Sequence, residues 1–195
     1  MSEPSRTSEA ASVYYKVLAE DGSCHHGGRG AWTLPNGKPG AWRSVKGDLV
    51  ACRNGIHLCR REDLIHWLGP AIFLAEAADG PVVDAGDKIV VRKARLVERL
   101  DTWNETTARL FAADCAEQAL QFIPGSHQEP FVAAINAARG FARGEISDKE
   151  RDAAWDAAWA AARAAARAAA WDAARDAARA WQTERLFDYL EGRAA

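Results

Sequence analysis

The chain has 195 residues, with 25 Lys and Arg against 27 Asp and Glu and a formal net charge of −2. That balance argues against sequence-independent nucleic-acid binding, which needs a basic excess, and no apolar run approaches the ~18 residues of a membrane span. The length suits one domain with a large appendage, or two small domains.

Residues 1–11 are polar and lack an apolar signal core, so they read as a disordered lead-in to a cytoplasmic protein whose four cysteines stay reduced. Ser12 to Ala19 is rich in Val and Tyr and reads as a strand closed by Asp21-Gly22. Cys24 to Gly30 is a glycine-rich loop, and Ala31 to Leu34 reads as a short strand ahead of Pro35-Asn36-Gly37. Asn54-Gly55 is the strongest hairpin signal in the chain and predicts strands over Asp48–Cys52 and Ile56–Cys59. After a helical turn or two at Glu62–Leu68, strands are predicted at Ala71–Ala77, Val82–Asp84 and Lys88–Val97.

The character then changes. Thr102 with Glu105 three residues on predicts the start of a helix reaching about Gln121, with Leu110, Phe111, Cys115 and Leu120 on its apolar face. Pro124-Gly125 breaks it, and a second helix runs from near Pro130 to Arg143, with Gly144 past its end. Ser147 and Glu150 have the spacing of a capping box for a third helix, which Gly192 closes. The fold class is therefore α+β: a disordered lead at 1–11, a curved antiparallel sheet domain at 12–101, and a helical region at 102–195 ending in one helix over 147–191.

That last helix has a four-residue cadence. Arg151, Trp155, Trp159, Arg163, Arg167, Trp171, Arg175 and Arg179 stand at every fourth position in a bed of alanine, and Asp follows four of them. Alanine has the highest helix propensity, and at 1.5 Å per residue the segment would span roughly 65 Å. A compact chain of this length is roughly 40 Å across, so the helix either overhangs its body by about 20 Å or is bent by packing against the chain's own helices. Four residues advance about 400°, so the row winds round the helix as a ridge flanked by Ala grooves, shaped for another helix to cross. Trp155, Trp159, Arg163, Arg167, Trp171 and Arg175 are the candidate binding residues, for another protein or a second copy of the chain. Locally, such i,i+3 and i,i+4 contacts are worth only ~0.2–1 kcal/mol each.

Three chemistries are open to the remaining polar residues. Cys24, His25, His26, Cys52, His57 and Cys59 are zinc-type ligands, but no Cys-x-x-Cys knuckle exists, so no metal is expected. A Cys/His nucleophile pair, Cys59 with His57 or Cys24 with His26, carries no signature. Gly27-Gly28-Arg29-Gly30 could cradle an anion, yet it lacks the Walker pattern and the strand–loop–helix context of a nucleotide loop.

The segment Cys52-x-x-Gly55-x-His57-x-Cys59, the strand ending in Glu76, Gly86-Asp87-Lys88 and the stretch from Trp103 through Glu117 together resemble an uncharacterised domain family of bacteria and their phages. Ala138 to Ile146 and the Ala-rich helix resemble the tails of proteins labelled immunity proteins. A weaker similarity, in the Gly-x-His-x-Cys strand and the later acid-bearing strand, is to folds related to ADP-ribosyltransferases. This last resemblance implies an NAD site in a split antiparallel sheet, with His57 and Glu76 as its residues and His25 or Arg29 on the rim; no His-Tyr-Glu or Arg-Ser-Glu set follows in order. The expected function is a non-enzymatic, cytoplasmic interaction or immunity-like protein of bacterial or phage origin, needing no cofactor and contacting neither membrane nor nucleic acid. The alternative is an ADP-ribosyltransferase-like NAD-binding enzyme or its inactive derivative.

Overall fold

The computed structural model describes residues 13–123, 125, 128–147, 149–150 and 172–194, with side chains of the last stretch described from Ala178. The chain divides into two compact units, 1–100 and 101–195. The class is α+β, with two open antiparallel sheets in the first unit and helices in the second.

The first sheet has the order β1 (Tyr14–Leu18), β4 (Ala71–Ala77), β7 (Lys93–Arg99), β2 (Arg43–Ser44); the second has the order β3 (Ile56–Leu58), β6 (Ile89–Val91), β5 (Val82–Asp84). Strand alternation explains how they share a core. Phe73 and Ala75 on β4, Ala94 and Leu96 on β7, Ile56 and Leu58 on β3, and Ile89 and Val91 on β6 all stand two residues apart and enter one buried cluster with Leu18 and Trp32. The predicted Lys88–Val97 strand is in fact two. Arg92 alone separates β6 from β7, and there the chain passes from one sheet to the other. Its guanidinium donates to the Gly47 carbonyl at 2.6 Å, and its own carbonyl accepts from Val45 N at 3.0 Å.

Asn54-Gly55 does not form the hairpin turn. The chain turns instead at Ala51–Arg53, between the bridged residues Val50 and Asn54, with Cys52 in the left-handed region at φ 60°. The Asn54 carboxamide donates to the carbonyls of Lys46 and Asp48, both at 2.8 Å, so this residue ties the loop together. Gly55 is required for closeness: a Cβ there would stand 2.1 Å from Cγ1 of Val90. Asp48–Cys52 is therefore not a strand, and Ala31–Leu34 contributes only a bridge between Ser23 and Ala31.

In the second unit α1 (Glu105–Ala119) is capped by Asn104, not Thr102. The Asn104 side chain accepts from Thr106 N and Thr107 N, while Thr107 Oγ1 accepts from Asn104 N. Thr102 Oγ1 is spent on the Leu190 carbonyl at 2.6 Å, which removes it from capping. α2 (Glu129–Ala142) ends in a Schellman motif at Gly144 (φ 73°), where Gly144 N reaches Phe141 O and Glu145 N reaches Gly140 O. α3 (Asp172–Leu190) ends in the same motif at Gly192. The Ser147–Glu150 box is formed, with Ser147 N and Oγ donating to Glu150 at 2.9 and 2.8 Å. The expectation of one unbroken helix over 147–191 falls in part on residues 151–171, outside the described residues.

Asp114 fastens the three helices. Burial alone would raise its pKa, but hydrogen bonds from Arg139 on α2 (2.6 Å) and from Tyr189 (2.7 Å) and Arg185 (2.8 Å) on α3 outweigh it and hold the carboxyl below the ordinary aspartate range. Phe111 packs edge-on against both Trp103 and Tyr189, extending the contact with apolar area.

Candidate functional site

The sheet unit holds a cleft of about 560 Å³. Its walls follow from strand parity. Lys16 has the parity of Leu18 on β1, so it reaches the core side of the sheet and enters the cleft where the apolar cluster ends. His57 has the opposite parity to Ile56 and Leu58 and leaves the core face of β3. The glycine-rich loop arrives from the third side, held down by His26, whose Nε2 donates to the carbonyls of Trp67 (2.8 Å) and Leu68 (3.0 Å). Gly69 makes that approach possible, since a Cβ there would lie 2.7 Å from both the His25 ring and Val17.

The cleft is cationic. Lys16, Arg29, Arg43, Arg53 and Lys88 line it, and no Asp or Glu among the described residues does. Tryptophans hold the cations in place: Arg43 lies 5.0 Å and Lys16 5.7 Å from the Trp32 ring centre, and Lys88 lies 4.2 Å from that of Trp67. Arg43 donates further to the Ala31 carbonyl at 3.0 Å, and Lys16 Nζ donates to the His57 carbonyl at 3.0 Å. Desolvation holds the Lys16 ammonium below the ordinary lysine pKa, and the nearby charge of Arg43 adds to the fall.

The residues singled out for chemistry are in part brought together. Cys24, His25, His26, Cys52, His57 and Cys59 all line the cleft, yet among the described residues no three His, Cys, Asp or Glu side chains are arranged to hold an ion. His57 Nε2 accepts from Cys52 N at 3.0 Å, so its lone pair is occupied and the ring is the neutral Nδ1–H tautomer. Burial first, then the charges of Lys16 and Lys88, keep the His57 pKa low against Asp87. Burial pushes the Cys59 thiol up to about 12, so it is not a thiolate near neutrality. Glu76 is elsewhere. It sits opposite Arg95 in the β4–β7 register and forms an ion pair with that residue, which in turn stacks on Trp42 at 4.6 Å. By alternation Glu76 leaves the core face that Ala75 occupies, and it does not line the cleft with His57.

Comparison of the chain with protein families, curated proteins and solved structures found no match. No helix among the described residues is long and apolar enough to cross a membrane. Trp155, Trp159, Arg163, Arg167 and Trp171 lie outside the described residues; Arg175 belongs to α3, with its side chain outside them.

Lys16, Trp32, Arg43, Arg53, Trp67 and Lys88 are not among the site residues expected from the sequence, although Lys88 is one of those that carry the family resemblance. The one signal was a lysine inside an otherwise aromatic and aliphatic strand, Tyr14-Tyr15-Lys16-Val17-Leu18. The other five come from separate loops and strands and converge only on folding.

Proposed function

We propose that this chain is a non-enzymatic, cytoplasmic interaction protein of bacterial or phage origin, immunity-like in kind. Its partner, another protein or a second copy, meets the Ala/Trp/Arg segment that begins at Arg151. The observation that carries the non-enzymatic part is the separation of His57 from Glu76. The carboxylate an NAD-transferring enzyme would need is paired with Arg95 outside the cleft, and the His57 lone pair is taken by a backbone amide. The interaction part is supported by the four-residue cadence of Trp and Arg in an alanine-rich sequence and by resemblance to immunity-protein tails. The Asp114 node supports it too, because it gives α3 a fixed attachment.

Light scattering on the full chain, alone and with a candidate partner, tests the reading against a Trp159→Ala/Trp171→Ala variant. Self-association or complex formation that the variant loses is the expected result. NAD-glycohydrolase or transferase activity abolished by Glu76→Gln would overturn the proposal in favour of an ADP-ribosyltransferase-like enzyme.

A further inference from the structure

Several cations of the sheet unit outside the cleft are paired with carboxylates. Arg60 is paired with Asp84 and Asp63, Arg95 with Glu76, and Arg99 with Glu20. Among the described residues, Lys88 is the one cleft cation with a carboxylate partner, Asp87. Lys16, Arg29, Arg43 and Arg53 have none among the described residues, although they surround one cavity. Exposed like charges shed their repulsion into water, but Lys16 is partly buried, and an ammonium taken out of water without a counter-ion is destabilising. One of its three donors is used, on the His57 carbonyl.

We propose that this cleft is a binding site for a small, multiply charged phosphate-bearing anion. Lys16 would stand at its inner end, Arg43 on its wall, and Arg29 and Arg53 at its rim. The charge of the site points to an anion. Its number of cations points to more than one negative charge, which a phosphate ester or diphosphate supplies and a monocarboxylate does not. The guanidinium fork of Arg43 is already oriented by the Ala31 carbonyl and the Trp32 ring, so engaging a phosphate costs little further ordering. A volume of about 560 Å³ is that of a site for a small organic molecule, with room beyond a single orthophosphate. The Trp32 ring already carries Lys16 and Arg43 and the Trp67 ring carries Lys88, so the tryptophans set the cations instead of stacking a ligand ring. Recognition is therefore of charge. The backbone amides of Gly27, Gly28 and Arg29, which donate to no acceptor among the described residues, add N–H groups at the rim. The site uses only the sheet unit and stands independently of any partner at the Ala-rich segment.

Isothermal titration of the full chain with pyrophosphate and with ADP, each at two salt concentrations, tests the site, with sulfate as the control anion. Saturable binding of at least one phosphate probe is expected, weakened by salt and stronger than sulfate. Lys16→Met should weaken it about tenfold or more, the scale of one lost charge-assisted hydrogen bond. Arg53→Met removes an exposed rim cation and should weaken it too while leaving the fold untouched; Lys38→Met, an exposed lysine outside the cleft, should leave it unchanged. In thermal melts pyrophosphate should raise the midpoint of the wild type and not that of Lys16→Met, whose ligand-free midpoint should equal or exceed the wild-type value. No saturable heat with either phosphate probe would overturn the proposal. So would affinity equal to that for sulfate, or binding that both cleft variants retain.

Discussion

Asp114 joins α1 to both α2 and α3 through one side chain. It is 7% exposed, and three side chains from two other helices converge on its two oxygens. Removing one partner of a buried ion pair costs about 3–5 kcal/mol because the other charge is stranded. Here Arg139 keeps Glu117 at 2.7 Å and Arg185 keeps Asp188 at 3.5 Å, so Asp114→Ala should fall at the low end, about 3 kcal/mol. Urea denaturation followed by helical circular dichroism measures it. An effect within about 0.5 kcal/mol, the range of ordinary surface substitutions, would show that the node fastens nothing. Nothing in the sequence marked Asp114: an aspartate inside an amphipathic helix reads as solvated, and only its distant partners Arg139, Arg185 and Tyr189 give it its role.

At the scale of elements, the strands with strong local signals were legible and those defined by distant contacts were not. Tyr14–Leu18 and Ala71–Ala77 lie within a residue or two of their expected bounds, because runs of apolar and β-branched residues announce them. Both helix ends at Gly144 and Gly192 were legible too, since a left-handed C′ position asks for glycine. Asn54-Gly55 misled because its local signature matches a hairpin turn while its actual duties are remote. Asn54 reaches back to two carbonyls, and Gly55 makes room for Val90. The cleft was legible as a list of His and Cys and illegible as a cationic site, because its positive charge is assembled from five separate places. Gly55→Ala puts a methyl on Val90 and strains φ at 149°, and overpacking a filled core costs typically 1–3 kcal/mol, so a loss of about 2–3 kcal/mol is expected. Chemical denaturation of the single variant, and of Gly55→Ala in a Val90→Ala background, gives the check. Costs that simply add would mean that the two residues do not meet.

Over the whole molecule, pH should define a plateau with different guards at each end. The Asp114 carboxyl is depressed when folded, so its contribution is present above its ordinary value near 3.8 and is lost as acid protonates it below that. On the alkaline side the signs reverse. The Cys59 thiol is raised from about 9 to about 12 by burial. Tyr189 is raised from 10 to about 12 by burial and its bond to Asp114. Both groups ionise earlier in the unfolded chain, so their stabilisation is whole below pH ~9 and fades as pH climbs toward 12. Melting temperatures measured from pH 7 to 11 should decline from about pH 9, and Cys59→Ala should flatten the first part of that decline. A wild-type curve level to pH 11 would contradict the burial assigned to both groups. At Arg92 the chain passes directly from one sheet into the other. With a single residue between Val91 and Lys93, neither sheet can open far while its neighbour stays closed, so their amides should exchange with deuterium as one cooperative unit. Under native conditions Val90 and Val91 on one side and Leu96 on the other should share one opening free energy and one denaturant dependence, and markedly different values would mean that Arg92 is a hinge.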